Sequence, residues 1–239
     1  PDVIIVVAYG LFLPKVMLDL PPLGCLNLHP SLLPRHRGPS PVASAILSGD
    51  PNTGVTVICL DEGMDTGPII AQRVTAIGAD EDGTALTARL FRVGSELLVE
   101  TLPEWEVGRI DAMPQNDSSA TMTMLLKRED GEIYWDQNAD YIARQVRAYQ
   151  PWPGVFTRWR GKLLKIVDAA ATEHTADAVP GRVIALSSGS LDIATADGTL
   201  EIKRLQIEGA RILDATEFVR GHPDIVGSIL ESKNARSNS

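Results

Sequence analysis

Four short apolar runs, rich in β-branched residues, set the strongest constraint on the first third of this chain: VIIVVA (3–8), CLNLHP (25–30), GVTVICL (54–60) and PIIAQRVTAI (68–77). Their length and residue types fit strands, and VIIVVA, apolar throughout, fits a strand covered on both faces. Helical patterns lie between and after them. PVASAILSG (41–49) carries apolar residues at helical spacing and stops at Gly49, a residue suited to a left-handed cap. ALTARLFRVGSELLVETLPEWEVG (85–108) follows Thr84, a suitable N-cap, and Pro103 is expected to end or kink it. Strands alternating with helices predict an α/β fold, Rossmann-like, with a mostly parallel sheet and crossover helices.

The pattern changes near residue 112. AMPQNDSSATMTM (112–124) is polar and without period, and reads as an extended linker. Past it, ADYIARQVRAY (139–149) predicts one helix, capped by Asn138, with Ile142, Val146 and Tyr149 on a shared face. Short alternating runs then follow: VFTRW, LLKIVDA, RVIAL, SLDIATA and TLEIKRLQIE, with turn signals at Gly161, Gly181, SSGS (187–190) and Asp197-Gly198. Evenly spaced short strands predict a small OB-like β-barrel. The expected division is 1–112 for an α/β domain, 113–126 for a linker and 127–239 for the barrel.

No run approaches the roughly 20 apolar residues of a membrane span, and no charged-then-apolar leader is present, so a soluble, cytoplasmic protein is expected. Cys25 and Cys59 lie inside apolar strand patterns and are expected to pack there as thiols, without disulfide or metal. The net charge is −9, with 7 Lys/Arg against 15 Asp/Glu in residues 1–124 and 15 against 16 in residues 125–239. That balance is poor for a general nucleic-acid binder and leaves room only for a local basic face on the second half. The chain opens at Pro1 and runs straight into an apolar strand, which is expected of a fragment of a longer protein; alone, such an edge is an aggregation hazard, and the isolated chain is expected to be insoluble or inactive.

The stretch NLHPSLLPRHRG (27–38) is where chemistry is expected. Side chains two apart on a strand face the same way, so Asn27 and His29 point together at whatever lies beyond the strand. DEGMDTGP (61–68) follows the next strand, and Gly63 and Gly67 allow it a tight course. In an open parallel sheet, ligands bind outside the carboxyl ends of the strands, and His29 and Asp65 would each follow such an end. A carboxylate near a histidine favours the protonated ring, which would make His29 an acid or a strong donor near neutral pH. With the neutral donors of Asn27, the set suits a carbonyl oxygen that gains negative charge.

These residues resemble the formyltransferases that use 10-formyltetrahydrofolate, in N-x-H-x-S-L-L-P followed by GDPNTGVTVICLDEGMDTGPII, with His29 and Asp65 36 residues apart. AYGLFLP, PRHRGPSP and KREDGEIYWD with VRAYQPWPG are most similar to the methionyl-tRNA formyltransferases of that superfamily. The resemblance implies transfer of a formyl group from 10-formyltetrahydrofolate to initiator methionyl-tRNA, for translation initiation, by a monomer without metal or covalent intermediate. It implies that Asn27 and His29 stabilise the oxyanion while Asp65 orients His29 and assists proton transfer through water. It implies that the folate lies against Gly10, Leu11, Phe12 and Leu13, against Ser31, Leu32, Leu33 and Pro34, and against Glu62, Gly63, Met64 and Asp65. For the tRNA it implies contacts from Lys127, Arg144, Arg147, Arg158, Arg160 and Lys162, and from Arg35 and Arg37, which could instead face the acidic folate. Family members begin with further strand and helix units before the first strand seen here.

Other readings remain open from sequence. A folate-dependent formyltransferase acting on an amino-sugar nucleotide carries a related second domain, whereas one acting on glycinamide ribonucleotide needs no barrel. A noncatalytic RNA-binding module is the alternative of a different class, and for it Asn27, His29 and Asp65 would be dispensable.

Overall fold

The structure, a computed structural model, describes residues 1–173, 177–187 and 189–232. The chain divides into two compact units, Pro1–Leu125 and Leu126–Ser239.

The first unit is an α/β structure built on a four-stranded sheet. Its elements are β1 (Ile4–Val6), α1 (Lys15–Leu18), β2 (Cys25–His29), α2 (Pro41–Ser48), β3 (Asn52–Cys59), β4 (Ile69–Ala76) and α3 (Gly83–Glu106), with the strands in the order β1-β2-β3-β4. β1 and β2 are parallel, but β2–β3 and β3–β4 are antiparallel, so the sheet is mixed. The connection from β3 to β4 is too short for a crossover, which takes a dozen residues or more, and the chain turns back on itself. VIIVVA supplies the three residues of β1, which pairs with β2 alone in this sheet, with Ile5 and Val7 exposed.

Helix signals act mostly as the sequence predicts. Gly49 closes α2 at φ 72°. Asp82, not Thr84, caps α3, its carboxylate accepting from the Ala85 N–H at 2.8 Å, and α3 runs on through Pro103 to Glu106. Period two decides what each strand residue does. Leu26 and Leu28 are buried, and α3 packs over them so closely that a Cβ on Gly94 would lie 2.6 Å from the Leu28 side chain. Each such buried aliphatic side chain contributes about 1.5–3 kcal/mol. Asn27 and His29 therefore project from the opposite face of β2.

The segment 113–123, read as linker from sequence, is tied to this unit. Met113 and Ile69 exchange backbone hydrogen bonds at 2.8 Å, and Arg37 pairs with Met122 in a parallel bridge.

The second unit is a curled antiparallel sheet, β5 (Val155–Trp159), β6 (Lys162–Thr172), β7 (Val183–Ser187), β8 (Ser190–Ala194), β9 (Thr199–Ile207) and β10 (Leu213–Asp214), in the order β5-β6-β9-β8-β7, with β10 on β9. It is a half-barrel where the sequence predicts a small β-barrel. α4 (Ala139–Ala148) is capped by Asn138 and buries Ile142 and Val146 with Tyr149 beyond its end; α5 (Ala215–Gly221) buries Ala215 and Phe218. The two edge strands do not pair with each other. The segment 227–231 joins them instead: Glu231 exchanges backbone bonds with Arg158, while Leu230 donates to the Gly181 carbonyl and Val183 to the Ser228 carbonyl. Of the SSGS turn, Ser188 lies outside the described residues, as do residues 233–239 of the expected barrel domain.

Candidate active site

β2 ends at His29, and the chain then makes the tight turn that the sequence SLLP suggests. Thr56 on β3 holds this turn, its hydroxyl donating to the Ser31 carbonyl at 2.6 Å and accepting from the Leu33 N–H at 3.2 Å. Ser31 donates its own hydroxyl proton to the Arg35 carbonyl at 2.7 Å. The loop thus returns over β2 and sets the His36 carbonyl 2.9 Å from His29 Nε2. A carbonyl only accepts, so Nε2 carries a proton and Nδ1 is the ring nitrogen left to act.

Asp65 reaches His29 by a route the sequence did not show. β3 is antiparallel to β2 and ends at Cys59 opposite Leu26, so the acidic loop leaves from the far end of β2 and must fold back along it. The expectation that both residues follow strand ends on one side of a parallel sheet is corrected accordingly. Asp61 shapes the return, accepting from the Gly63 N–H at 3.0 Å and the Thr66 hydroxyl at 2.6 Å. Gly67 lies so close to the Cys59 carbonyl that an added Cβ would fall 1.8 Å from it, so only glycine fits. Asp65 sits at φ 55°, in the left-handed region that aspartate tolerates better than most side chains.

The two groups meet without a direct hydrogen bond. Asp65 Oδ1 is 3.6 Å from His29 Nδ1, while Asp65 Oδ2 accepts from the Gly38 N–H at 2.7 Å. His29 is almost wholly buried. Burial pushes its pKa below the ordinary histidine value, against the opposing pull of the Asp65 carboxylate, so the ring rests neutral at pH 7. The expected protonated resting state is reversed, because desolvation outweighs the carboxylate. Asn27 is half-buried, and among the described residues its amide makes no hydrogen bond. The arrangement offers a neutral amide donor, a proton-accepting ring nitrogen and a carboxylate near enough to stabilise that nitrogen once protonated.

The other expected site residues fall into three groups. Leu11 and Phe12 are 73% and 64% exposed beside Gly10 and Leu13, Met64 is exposed on the acidic loop, and Lys15 approaches Glu62 at 3.6 Å. Ser31 and Leu33 are buried, with Leu32 packed against Gly54, where an added Cβ would lie 2.5 Å from its methyl; these three form the turn itself, beside half-buried Pro34. The cations differ among themselves. Arg35 is exposed and donates twice to Asp50 at 2.8 Å. Arg37 is 5% exposed, its guanidinium engaged by Gln115 and Asp117, and it holds structure rather than presenting charge. Arg158, Arg160 and Lys162 flank the β5–β6 turn, with Arg160 paired to Asp224; Lys127 is exposed, and Arg144 and Arg147 are half-buried on α4.

Sequence reading missed three contributors: the backbone of His36 and Gly38, and the side chain of Gln115. Gln115 sits in a stretch with no local pattern, 50 residues from the loop it binds, and nothing near it in sequence marks that role.

Residues 1–102 match the family model described as formyl transferase, and residues 125–223 match the formyl transferase C-terminal domain. The chain is 48% identical over 222 residues to a methionyl-tRNA formyltransferase of Roseiflexus castenholzii, covering 92% of this chain and 71% of that protein. A methionyl-tRNA formyltransferase of Pelobacter propionicus is 43% identical over 230 residues, covering 96% of this chain and 72% of its own. Among solved structures, HypX from Aquifex aeolicus in complex with tetrahydrofolic acid shares the fold, with a TM-score of 0.69, 23% identity, and coverage of 92% of this chain and 38% of that one.

Proposed function

The chain belongs to the formyl transferase family, and from that premise we propose that it moves a formyl group from 10-formyltetrahydrofolate to the amino group of initiator methionyl-tRNA. The relatives that match over most of the chain carry that activity in their names, and one solved neighbour holds a tetrahydrofolate. The residues fit a folate. Leu11, Phe12 and Met64 present apolar surface of the kind a flat heterocycle covers, and the amide of Asn27 is unpartnered among the described residues.

Asn27 donates to the formyl oxygen as negative charge develops there. His29, neutral at rest, accepts at Nδ1 the proton that the attacking amine sheds, and Asp65 stabilises the imidazolium that results. His29 then returns the proton to the folate nitrogen as that nitrogen leaves, so the protein ends in its starting state. This assigns His29 to proton transfer more than to holding the oxyanion, because its Nε2–H is engaged by the His36 carbonyl. No serine or cysteine nucleophile takes part. Around one turn Arg158 is half-exposed and Lys162 exposed, and these two meet tRNA phosphates in this reading, while Arg160 beside them is paired to Asp224.

One observation carries the reading: an unpartnered amide, a buried neutral imidazole and a carboxylate 3.6 Å from it, in the segment that matches the formyl transferase family. The full-length protein is assayed with 10-formyltetrahydrofolate and either methionyl-tRNA or an amino-sugar nucleotide. Formylation of methionyl-tRNA, lost in Asn27→Ala by about 10²-fold or more in kcat, is the expected result; formylation of the sugar alone rejects the assignment.

A further inference from the structure

Asp65 is held in an unfavoured backbone conformation and must keep its carboxylate near a ring it does not hydrogen-bond. Something outside its own loop has to fix it there. Its carboxylate accepts from the Gly38 N–H at 2.7 Å, and its backbone carbonyl accepts from Gln115 Nε2 at 2.7 Å. The same Nε2 donates its second proton to the Gly67 carbonyl at 2.7 Å. At the other end of the amide, Gln115 Oε1 accepts from Arg37 Nε at 3.0 Å and Nη2 at 2.8 Å. Both donors and both lone pairs of one glutamine side chain are therefore in use. Arg37 is the residue before Gly38, so the bonds close a ring that passes through both sides of Asp65.

The ring is anchored at its ends. The Arg37 N–H donates to the Thr121 carbonyl at 2.9 Å, and the Thr123 N–H donates to the Arg37 carbonyl at 2.7 Å. Gly38, at φ 102°, lies where any Cβ would fall 2.9 Å from Thr123. Met113 and Ile69 clamp the other end of the strap. Among the described residues, no other side chain from outside these two loops hydrogen-bonds both the loop after His29 and the loop carrying Asp65.

We propose that Gln115 is a positioning residue, whose amide sets the placement of the Asp65 carboxylate over His29 and so the geometry of proton transfer. This rests on the transferase reading for its kinetic consequence, but not for its structural one. Gln115→Glu keeps the acceptor side toward Arg37 and loses both donors toward the loop, placing negative charge against two carbonyls. Gln115→Met removes all four bonds with little change in volume.

The test uses the full-length protein. Gln115→Glu is expected to lower kcat by about 10²-fold, the scale for a misplacement near 1 Å, with KM for folate and methionyl-tRNA changed less than about threefold. In Gln115→Met the His29 titration, followed by NMR of the ring nitrogens, moves to lower pH, because the carboxylate that raises it is no longer held; the His36 ring, the other group acting on His29, has its own partner in Asp50 and makes no bond to Gln115. A purely structural glutamine would shift the melting temperature and leave both the kcat–KM split and the titration alone, and that outcome overturns the proposal. If the methionine variant does not fold, Gln115→Asn serves, since it is one methylene too short to reach both partners, and its titration moves the same way. Should the full-length wild-type protein transfer no formyl group, the transferase reading falls, while the His29 titration still decides the role of Gln115.

Discussion

Two histidine–aspartate pairs share one loop and are built in opposite ways. His36 Nε2 and Asp50 Oδ2 are 2.7 Å apart, and Arg35 adds two bonds of 2.8 Å to the same carboxylate. His29 Nδ1 and Asp65 Oδ1 stand 3.6 Å apart with no direct bond. Both rings are buried. A pair that only holds structure is closed on every side, whereas a pair whose proton has to move keeps one ring nitrogen unengaged. The two are also linked: the His36 backbone, fixed by its own ring and by the Thr121 hydroxyl at 2.8 Å, supplies the carbonyl that sets the His29 tautomer.

The same substitution at the two aspartates breaks this comparison most strongly. Asp65→Asn removes the charge yet keeps an oxygen for the Gly38 N–H, and asparagine tolerates the left-handed backbone of position 65. Stability is expected to stay within about 1 kcal/mol of wild type, while kcat falls by about 10³-fold, because the imidazolium loses its partner. His29→Asn should lose at least as much. Single-turnover formylation measures both, and an Asp65→Asn variant within about tenfold of wild type would detach Asp65 from the chemistry.

Asp50→Asn is the mirror case. Its new amide protons face donors from Arg35 and His36, so a cost of about 1–3 kcal/mol in urea unfolding is expected. The rate should change by less than about threefold, through the His36 carbonyl alone. A loss of activity at full stability would mean that the supposed structural pair acts in the reaction.

Protonation separates the pairs more gently. The His29 pKa is lowered by burial, so between that value and the ordinary unfolded value of about 6.5 the unfolded chain binds a proton that the folded chain refuses. In that window stability rises with pH and is lost as pH falls, by at most about 1.4 kcal/mol per pH unit. Urea midpoints from pH 7.5 to 5 should drop more steeply for wild type than for His29→Asn. Equal slopes would remove His29 from the acid limb.

Much of this was legible in the chain and part was not, for a physical reason. Period-two patterning gave β2, β3 and β4 and told Leu26 and Leu28 from Asn27 and His29; caps gave α2 and α4. Strand direction was not encoded locally: GVTVICL reads the same parallel or antiparallel, and only the turn after it, folded back by Asp61 and Gly67, decides how Asp65 arrives. The strap at 113–123 and the closing segment at 227–231 look like loops because each backbone bonds to partners far away in sequence, and side-chain periodicity carries no record of that. His36 and Gln115 were invisible for the same reason.

Arg35 tests the boundary between the two pairs with the smallest effect. It stands exposed beside His36, and sequence alone allowed it to meet either the folate or the tRNA. The structure turns its guanidinium onto Asp50 instead, through two bonds from one nitrogen. An exposed pair of that kind is worth about 0–1 kcal/mol, and a guanidinium already neutralised by a carboxylate releases few counterions from a phosphate. Arg35→Ala is therefore expected to cost less than about 1 kcal/mol, with kcat within about twofold of wild type and the salt dependence of the tRNA KM unchanged. A salt slope shallower by about one would show that a phosphate displaces Asp50 in the working complex. Arg35 would then belong with the groups that meet substrate, and His36 and Asp50 would be the part of the loop that substrate rearranges.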